Sequence, residues 1–274
     1  MLDIQNLSVS VKSNVILNNV NYRFKEGEIY GILGPNGAGK TTLFKSILKV
    51  IDYSGKISYN SENIGHLIDY PAFYSNLTCN ENLSLHAKYI GVNQLDIDNL
   101  LSTVNLLDAK HKKFKNLSMG MKQRLGIAKT LIGDSDIIIL DEPSNGLDPM
   151  GIKDIRDIML NVVKSDKRVT LVSSHILKEL SEFTDVFLFI RDGKLISHIK
   201  NSGNAYSIVK TEENYDDIKF TSSNAYSIIK SDGELYILSN YEDLKVYYKD
   251  VEEMNLEELY MKVMSMNIEE VYLK

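Results

Sequence analysis

Residues Gly34 to Thr42 read GPNGAGKTT and follow the apolar run IYGIL. No other segment restricts the fold as tightly. The pattern G-x-x-x-x-G-K-[ST], set between a buried strand and a helix, curls the backbone so that successive N–H groups point inward. Gly34, Gly37 and Gly39 permit the curl, because glycine has no Cβ to clash. With Pro35, Asn36 and Ala38 they form a cradle whose amides, together with the helix N-terminus behind them, favour phosphate oxygens. Lys40 is placed to reach the β- and γ-phosphates of a nucleoside triphosphate such as ATP. The Thr41 hydroxyl is placed to ligate Mg²⁺, and Thr42 follows one position later.

A loop of this kind belongs at the edge of a mostly parallel α/β sheet. The chain supplies the strands and helices in alternation. LDIQNLSVSV and VILNNVNYRF read as strands joined by KSN, GKISYN and NIGHLI as short strands, and GKTTLFKSILKV as a helix with Leu43, Ile47 and Val50 on one side. Helical spacing continues through Leu83, Ala87 and Ile90, from Leu95 to Leu107, and over 119–132. Then DIIIL, Gly151–Val163, RVTLVSS, Ile176–Glu182 and DVFLFI repeat strand, helix, strand, as in a sheet covered on both faces.

The strand IIILD ends in Asp141 and Glu142. Ligands of parallel sheets gather at the carboxyl ends of strands. Asp141 therefore suits the coordination sphere of Mg²⁺, directly or through water, and Glu142 suits orienting and deprotonating an attacking water. His175 ends a third strand, RVTLVSSH, where it could touch the γ-phosphate.

Composition narrows the partners. The net charge is -6 with 31 Lys plus Arg, which gives no reason to expect a nucleic acid. The one cysteine, Cys79, has no second cysteine or nearby histidine in the sequence and reads as an incidental small residue. MLDIQNLSVSVK carries no signal-peptide pattern, and no window approaches the ~18 apolar residues that span a bilayer. Any membrane role is expected to come through another chain.

Two stretches resist a simple reading. In IGHLIDYPAFYSNLT an apolar run ends at Asp69, and Tyr70, Pro71, Phe73 and Tyr74 follow; Pro71 argues against a continuing helix or central strand. Near residue 200 the composition changes at NSGN. NAYSIVK (204–210) is echoed by NAYSIIK (224–230), which suggests two similar strands with Tyr and Ile on opposite faces. The terminal NLEELYMKVMSM reads as a helix whose Leu256, Leu259, Val263 and Met266 pack on those strands.

LSMGMKQRLGIAKTL, Leu117 to Leu131, opens a helix upstream of the carboxylates, with Ser118 in the N-cap region and Gly120 allowing close backbone approach. This second anion-binding helix start is surplus within a monomer, since one phosphate loop already serves the phosphates. The stretch resembles the signature loop of ABC ATPases. EPSNGLD resembles their D-loop, with Asp148 as its acid, and His175 matches their switch histidine. The resemblance runs from residue 2 to about residue 200. It implies a P-loop NTPase with a mostly parallel core sheet, an antiparallel β subdomain, a helical signature subdomain, and residues 201–274 as a small C-terminal α/β extension. It also implies ATP and Mg²⁺, with Lys40, Thr41, Asp141, Glu142 and His175 of one subunit facing Ser118 and Gly120 of a second, as in a homodimer. A separate membrane permease is implied, with this chain cytoplasmic and peripheral on the inner face of the cell membrane.

Met119 and Met121 replace a Gly and the Gln of the usual LSGGQ. GMKQRLGIA, DEPSNGLDPMGI and IGHLIDYPAFYSNLT are similar to the bacitracin and lantibiotic-protection exporters. Most ABC ATPases have Gln where Asp69 stands; that branch typically has Glu. Asp69 is thus expected to act at the nucleotide and on Mg²⁺ or its waters, and Tyr70, Phe73 and Tyr74 to help dock the permease. Val11 stands near the position of an aromatic that stacks on adenine in many relatives. Two other classes remain open on sequence: a non-transport ABC protein of translation or DNA maintenance, and a P-loop kinase acting as a monomer.

Overall fold

The computed structural model describes residues 1–59, 63–164, 167–174, 176–203, 205–213, 215, 218, 226–249 and 251–274. The chain divides into two compact units, one of residues 1–3, 23–29 and 58–174, the other of 4–22, 30–57 and 175–274.

The second unit holds most of strands β1 (Leu2–Val11), β2 (Asn14–Phe24) and β4 (Ser54–Tyr59), which form a sheet in the order β2-β1-β4. Strand β3 (Ile29–Leu33) delivers the phosphate loop to helix α1 (Lys40–Ile47). All its residues are buried, as the unbroken apolar run requires. Helix α1 ends sooner than the apolar spacing suggests. Lys49 turns into the left-handed region (φ 56°), and Val50 is 65% exposed rather than on the stripe with Leu43 and Ile47.

In the first unit, β5 (Ile64–Leu67), β6 (Ile137–Asp141) and β7 (Val169–Ser173) run parallel in that order. Helices α2 (Cys79–Tyr89) and α3 (Ile97–Thr103) precede α4 (Met119–Thr130). A capping box between Thr78 and Glu81 starts α2, and Asp96 caps α3. Helix α4 lies hard against β5: a Cβ on Gly65 would sit 2.1 Å from the Thr130 carbonyl, and one on Gly126 would sit 2.9 Å from Leu67. Helix α5 (Pro149–Ile158) begins earlier than Gly151, because Pro149 suits a first turn, and its last turn, Met159–Val163, is π-helical. Cys79 is a fully buried free thiol, and burial pushes its pKa up.

Back in the second unit, the short helix α6 (Leu177–Ser181) leads to β8 (Val186–Arg191), which is parallel to β3, and to β9 (Lys194–Lys200), antiparallel to β8. Strand β9 was not anticipated. Beyond it β10 (Tyr206–Thr211), β11 (Ser227–Ser231), β12 (Glu234–Asn240) and β13 (Ile268–Leu273) form an antiparallel sheet in the order β10-β12-β11-β13. Helices α7 (Tyr241–Tyr247) and α8 (Leu256–Ser265) accompany it. Leu256, Leu259 and Val263 of α8 are buried, as expected of a packing stripe, whereas Met266 falls past the helix end as its C-cap and is only half-buried.

The echoed heptapeptides do form two similar strands, flanking β12. Their facing differs from the expectation. Tyr206 and Ile208 are two residues apart, as are Tyr226 and Ile228, so within each copy they share a face. Between copies the register slips. Leu238 of β12 pairs with Ile208 on one side and Ser227 on the other, an offset of 19 (227 − 208) where the sequence echo is offset by 20. A one-residue slip reverses every side chain. Val209 and Ile228 therefore enter the same cluster with Ile237 and Leu244, with Tyr226 packed against it, while Tyr206 lies against Phe187 at 6.4 Å.

Candidate functional site

The phosphate loop is built by close backbone approach. A Cβ on Gly34 would meet the Ile190 carbonyl at 2.3 Å, and Gly39, at φ 107°, would meet Leu17 at 2.7 Å. Any side chain at either position would push the loop off its floor. Gly39 also begins α1, accepting from the Leu43 N–H at 2.8 Å. Lys40 is buried to 6% exposure, and its ammonium donates to the carbonyls of Gly34 (2.7 Å) and Pro35 (3.2 Å). The cation is thereby held at the mouth of the cradle that Pro35, Asn36, Gly37 and Ala38 complete. Thr41 and Thr42 sit in the first turn of the helix. Val11, in the same unit, is 57% exposed at the end of β1.

The carboxylate pair stands at the end of β6. Asp141 is 8% exposed and pairs with Ser173 across the β6–β7 ladder, and the Ser173 hydroxyl donates to Asp141 Oδ1 at 2.5 Å. The same serine holds the next residue. The Glu142 N–H points at both the Ser173 carbonyl (3.2 Å) and its Oγ (3.0 Å). Glu142 has φ 48°, a left-handed conformation that costs a non-glycine residue about 1–2 kcal/mol. Strain of this kind concentrates at functional sites.

Asp69 repeats the geometry one strand away. Leu67 pairs with Leu140, so Asp69 and Glu142 each lie two residues past that pair, and Asp69 has φ 61°. Aspartate tolerates the left-handed region better than longer acids do, which gives a backbone reason for the shorter side chain here.

Ser118 caps α4 by accepting from the Met121 N–H at 3.3 Å. Gly120 is different from the glycines of the phosphate loop. A Cβ there would meet only Leu147, at an ordinary 3.8 Å. Met119 is 42% exposed beside Gly146. Asp148 caps α5 through the Gly151 N–H at 2.9 Å. Arg124 of α4 is ion-paired to Asp154 of α5. His175 lies outside the described residues.

The aromatic stretch after Asp69 is part scaffold and part surface. The Phe73 and Phe114 rings pack at a tilt of 50° with centroids 5.1 Å apart, and Tyr70 is edge-on to Phe114 at 6.4 Å. Lys129 and Lys122 sit over the Phe73 and Phe114 rings, at 5.6 and 5.3 Å. The buried Asn82 side chain accepts from the Tyr74 N–H and donates to the carbonyls of Tyr74, Leu77 and Thr78, fixing the loop to α2. Tyr70 (48%) and Tyr74 (66%) remain exposed. A cavity of about 200 Å³ opens between Phe73, Tyr74, Leu85, His86, Tyr89 and Lys129.

Residues 17–145 match the family model described as ABC transporter. The chain is 44% identical over 206 residues to the uncharacterized ABC transporter ATP-binding protein YcbN of Bacillus subtilis (strain 168), covering 70% of this chain and 67% of that one. It is 40% identical to the lantibiotic transport ATP-binding protein SrtF of Streptococcus pyogenes, over 72% of this chain and 89% of SrtF. To the bacitracin transport ATP-binding protein BcrA of Bacillus licheniformis it is 41% identical, over 67% and 64%. The chain belongs to the ABC transporter ATP-binding proteins. A solved ATP-binding subunit of an ABC transporter superposes with a TM-score of 0.64 at 26% identity, covering 72% of this chain and 89% of that one.

As an ABC ATPase the protein binds and hydrolyses ATP in the service of transport. Neither the non-transport reading nor the monomeric kinase has support from these relatives. Two residues escaped sequence reasoning. Ser173 holds both carboxylate residues, and its only signal was a polar residue ending the strand beside theirs. Gly193 touches the phosphate loop through the Ala38 carbonyl, and nothing in the sequence around it marks that contact. Among the described residues no helix is long and apolar enough to cross a membrane.

Proposed function

We propose that this ABC ATPase powers export of, or protection against, a peptide antibiotic of the lantibiotic or bacitracin kind. The observation that carries the reading is the similarity to SrtF and BcrA, whose names state transport of those compounds, over 72% and 67% of this chain. The chain would work as a homodimer on a separate membrane permease, at the cytoplasmic face of the membrane, with residues 201–274 as an extension of the ATPase domain 1–200.

In this reading the amides of Gly34–Thr42 hold the phosphates and Lys40 balances charge on the γ-phosphate as water attacks in line. Glu142 orients that water and takes its proton. His175 and Asp69 report whether the γ-phosphate is present. Ser118 and Gly120, with Asp148 beside them, serve the nucleotide held by the other copy. By the resemblance to ABC ATPases, the Thr41 hydroxyl and the Asp141 carboxylate would hold Mg²⁺, which takes one or two carboxylates together with phosphate oxygens, and Ser173 orients Asp141. When bound, the ion would neutralise charge on the phosphates. The exposed Tyr70 and Tyr74, together with the half-buried Phe73, would meet the permease, as aromatics do at interface anchors.

Deletion of the gene, followed by complementation, tests the reading. Loss should raise sensitivity to at least one peptide of a lantibiotic and bacitracin panel. The wild-type chain should restore protection. Glu142→Gln should fail to do so while still binding ATP, with hydrolysis lowered about 10²-fold or more. Unchanged sensitivity across the panel would reject the substrate class; undiminished hydrolysis would reject the base.

A further inference from the structure

The turn that closes β8 onto β9 touches two things at once. On one side it is the floor of the phosphate loop. The Gly193 N–H donates to the Ala38 carbonyl at 3.1 Å, the Gly193 carbonyl accepts from Asn18 N–H at 2.9 Å, and the Ile190 carbonyl lies where a Cβ of Gly34 would be. Gly193 itself, at φ 73°, leaves no room for a side chain, since its Cβ would fall 2.2 Å from the Ile16 carbonyl.

On the other side the turn holds the end of α8. The Arg191 guanidinium donates to the carbonyls of Met264 (2.7 Å) and Met266 (2.9 Å), with Val263 at 3.5 Å. The last carbonyls of a helix have no partner within it, and a cation there also meets the negative end of its dipole. The Arg191 side chain is only 20% exposed. A cavity of about 390 Å³, bordered by Asn18, Arg191, Asp192, Lys194 and Glu269, lies beside the turn. The turn is thus tightly packed on the side of the phosphate loop and open on the side of the cavity, where the Arg191 hydrogen bonds hold it to α8. A second tie lies further along β9, where His198 Nε2 donates to the carbonyls of Tyr226 and Lys274.

We propose that Arg191 is a positioning residue through which the C-terminal sheet and α8 brace the phosphate loop, so that docking of α8 and binding of nucleotide stabilise one another. The brace rests on the assignment of Gly34–Thr42 as the nucleotide site. Binding coupling is reciprocal, so each partner reads out the other. MgATP should slow amide exchange at residues 262–267 of the full chain, although that helix end contributes nothing to the phosphate cradle.

The test combines MgATP titration with hydrogen exchange on the wild-type chain, Arg191→Ala and Arg191→Lys. Arg191→Ala should weaken MgATP binding about fivefold or more, the lower end of ordinary coupling, with kcat at saturating ATP much less affected. It should also speed exchange at residues 36–40 as well as at 262–267. Arg191→Lys, which keeps the charge but not the reach and planarity of the guanidinium, should recover part of both. Exchange that changes only at 262–267, with MgATP affinity within twofold of wild type, would overturn the brace. So would wild-type exchange at 262–267 that ignores MgATP. Failure of the wild-type chain to bind MgATP would overturn the loop assignment and the brace together.

Discussion

The phosphate loop and the signature stretch both use glycine at the start of a helix, for opposite reasons. Gly34 and Gly39 are demanded from inside, by a carbonyl at 2.3 Å and a leucine at 2.7 Å. Gly120 is demanded by nothing inside, since the contact its Cβ would make is an ordinary one at 3.8 Å. Glycine within a helix costs about 1 kcal/mol relative to alanine. A chain that carries that cost without internal need keeps the space for something it does not itself supply. In the proposed reading the phosphate loop is a finished object, and the signature stretch is half of one.

Matched alanine substitutions set that contrast against experiment. Gly34→Ala forces a methyl onto backbone that cannot rotate away. It should lower stability by about 3 kcal/mol and abolish ATP binding, read by chemical denaturation and nucleotide titration. Gly120→Ala should leave stability unchanged or raise it by up to about 1 kcal/mol and leave ATP binding by the isolated chain intact, yet cut ATPase activity at least about tenfold. Full activity in Gly120→Ala would mean that the open space has no occupant.

Ser173 offers a smaller test between these extremes. It is internal, like Gly34, but holds the two residues proposed for metal binding and catalysis. Ser173→Ala removes the bond to Asp141 and one of the two acceptors for the Glu142 N–H. Denaturation should show a loss of about 1 kcal/mol, and steady-state assays a loss of roughly tenfold in kcat with ATP binding largely kept. A drop in binding as large as the drop in kcat would place Ser173 with the scaffold.

How much could be read in advance follows the same division. Motif spacing fixes local geometry, so the phosphate loop, the strand end at Asp141, the strand leading to Asp69 and the cap at Ser118 were legible. Ser173 was not, because a lone serine at a strand end has no spacing signature; only the register with β6 gives it a role. The echo at 204–210 and 224–230 was legible as two strands but not as a slipped pair, since register depends on β12 between them. Strand β9 was missed because the alternation that marks it is blurred by burial of consecutive residues from Ile196 to Ile199. The left-handed turn at Lys49, which removed Val50 from its stripe, has no glycine to announce it.

The helical side of the first unit supplies the last and smallest test. His66 on β5 and His86 on α2 both have lowered pKa values. Burial is the main cause, followed by the charge of Lys129 on α4; for His86 the charge of His66 adds to it, and for His66 a backbone hydrogen bond at Ile64 opposes it. Burial lowers Lys129 as well. A histidine that resists protonation when folded contributes stability above its unfolded value of about 6.5, and that stability is lost as pH falls from there through the folded value. Thermal melts between pH 7.5 and 5.5 should therefore fall modestly, and the double variant His66→Gln, His86→Gln should flatten the slope. Protection factors corrected for intrinsic exchange should fall in α2 and α4 while those of α1 hold, because the phosphate loop carries none of this cluster. An equal loss in both places would show that the signature side and the phosphate loop open as one, and the contrast between a finished object and a half would then belong to chemistry rather than to stability.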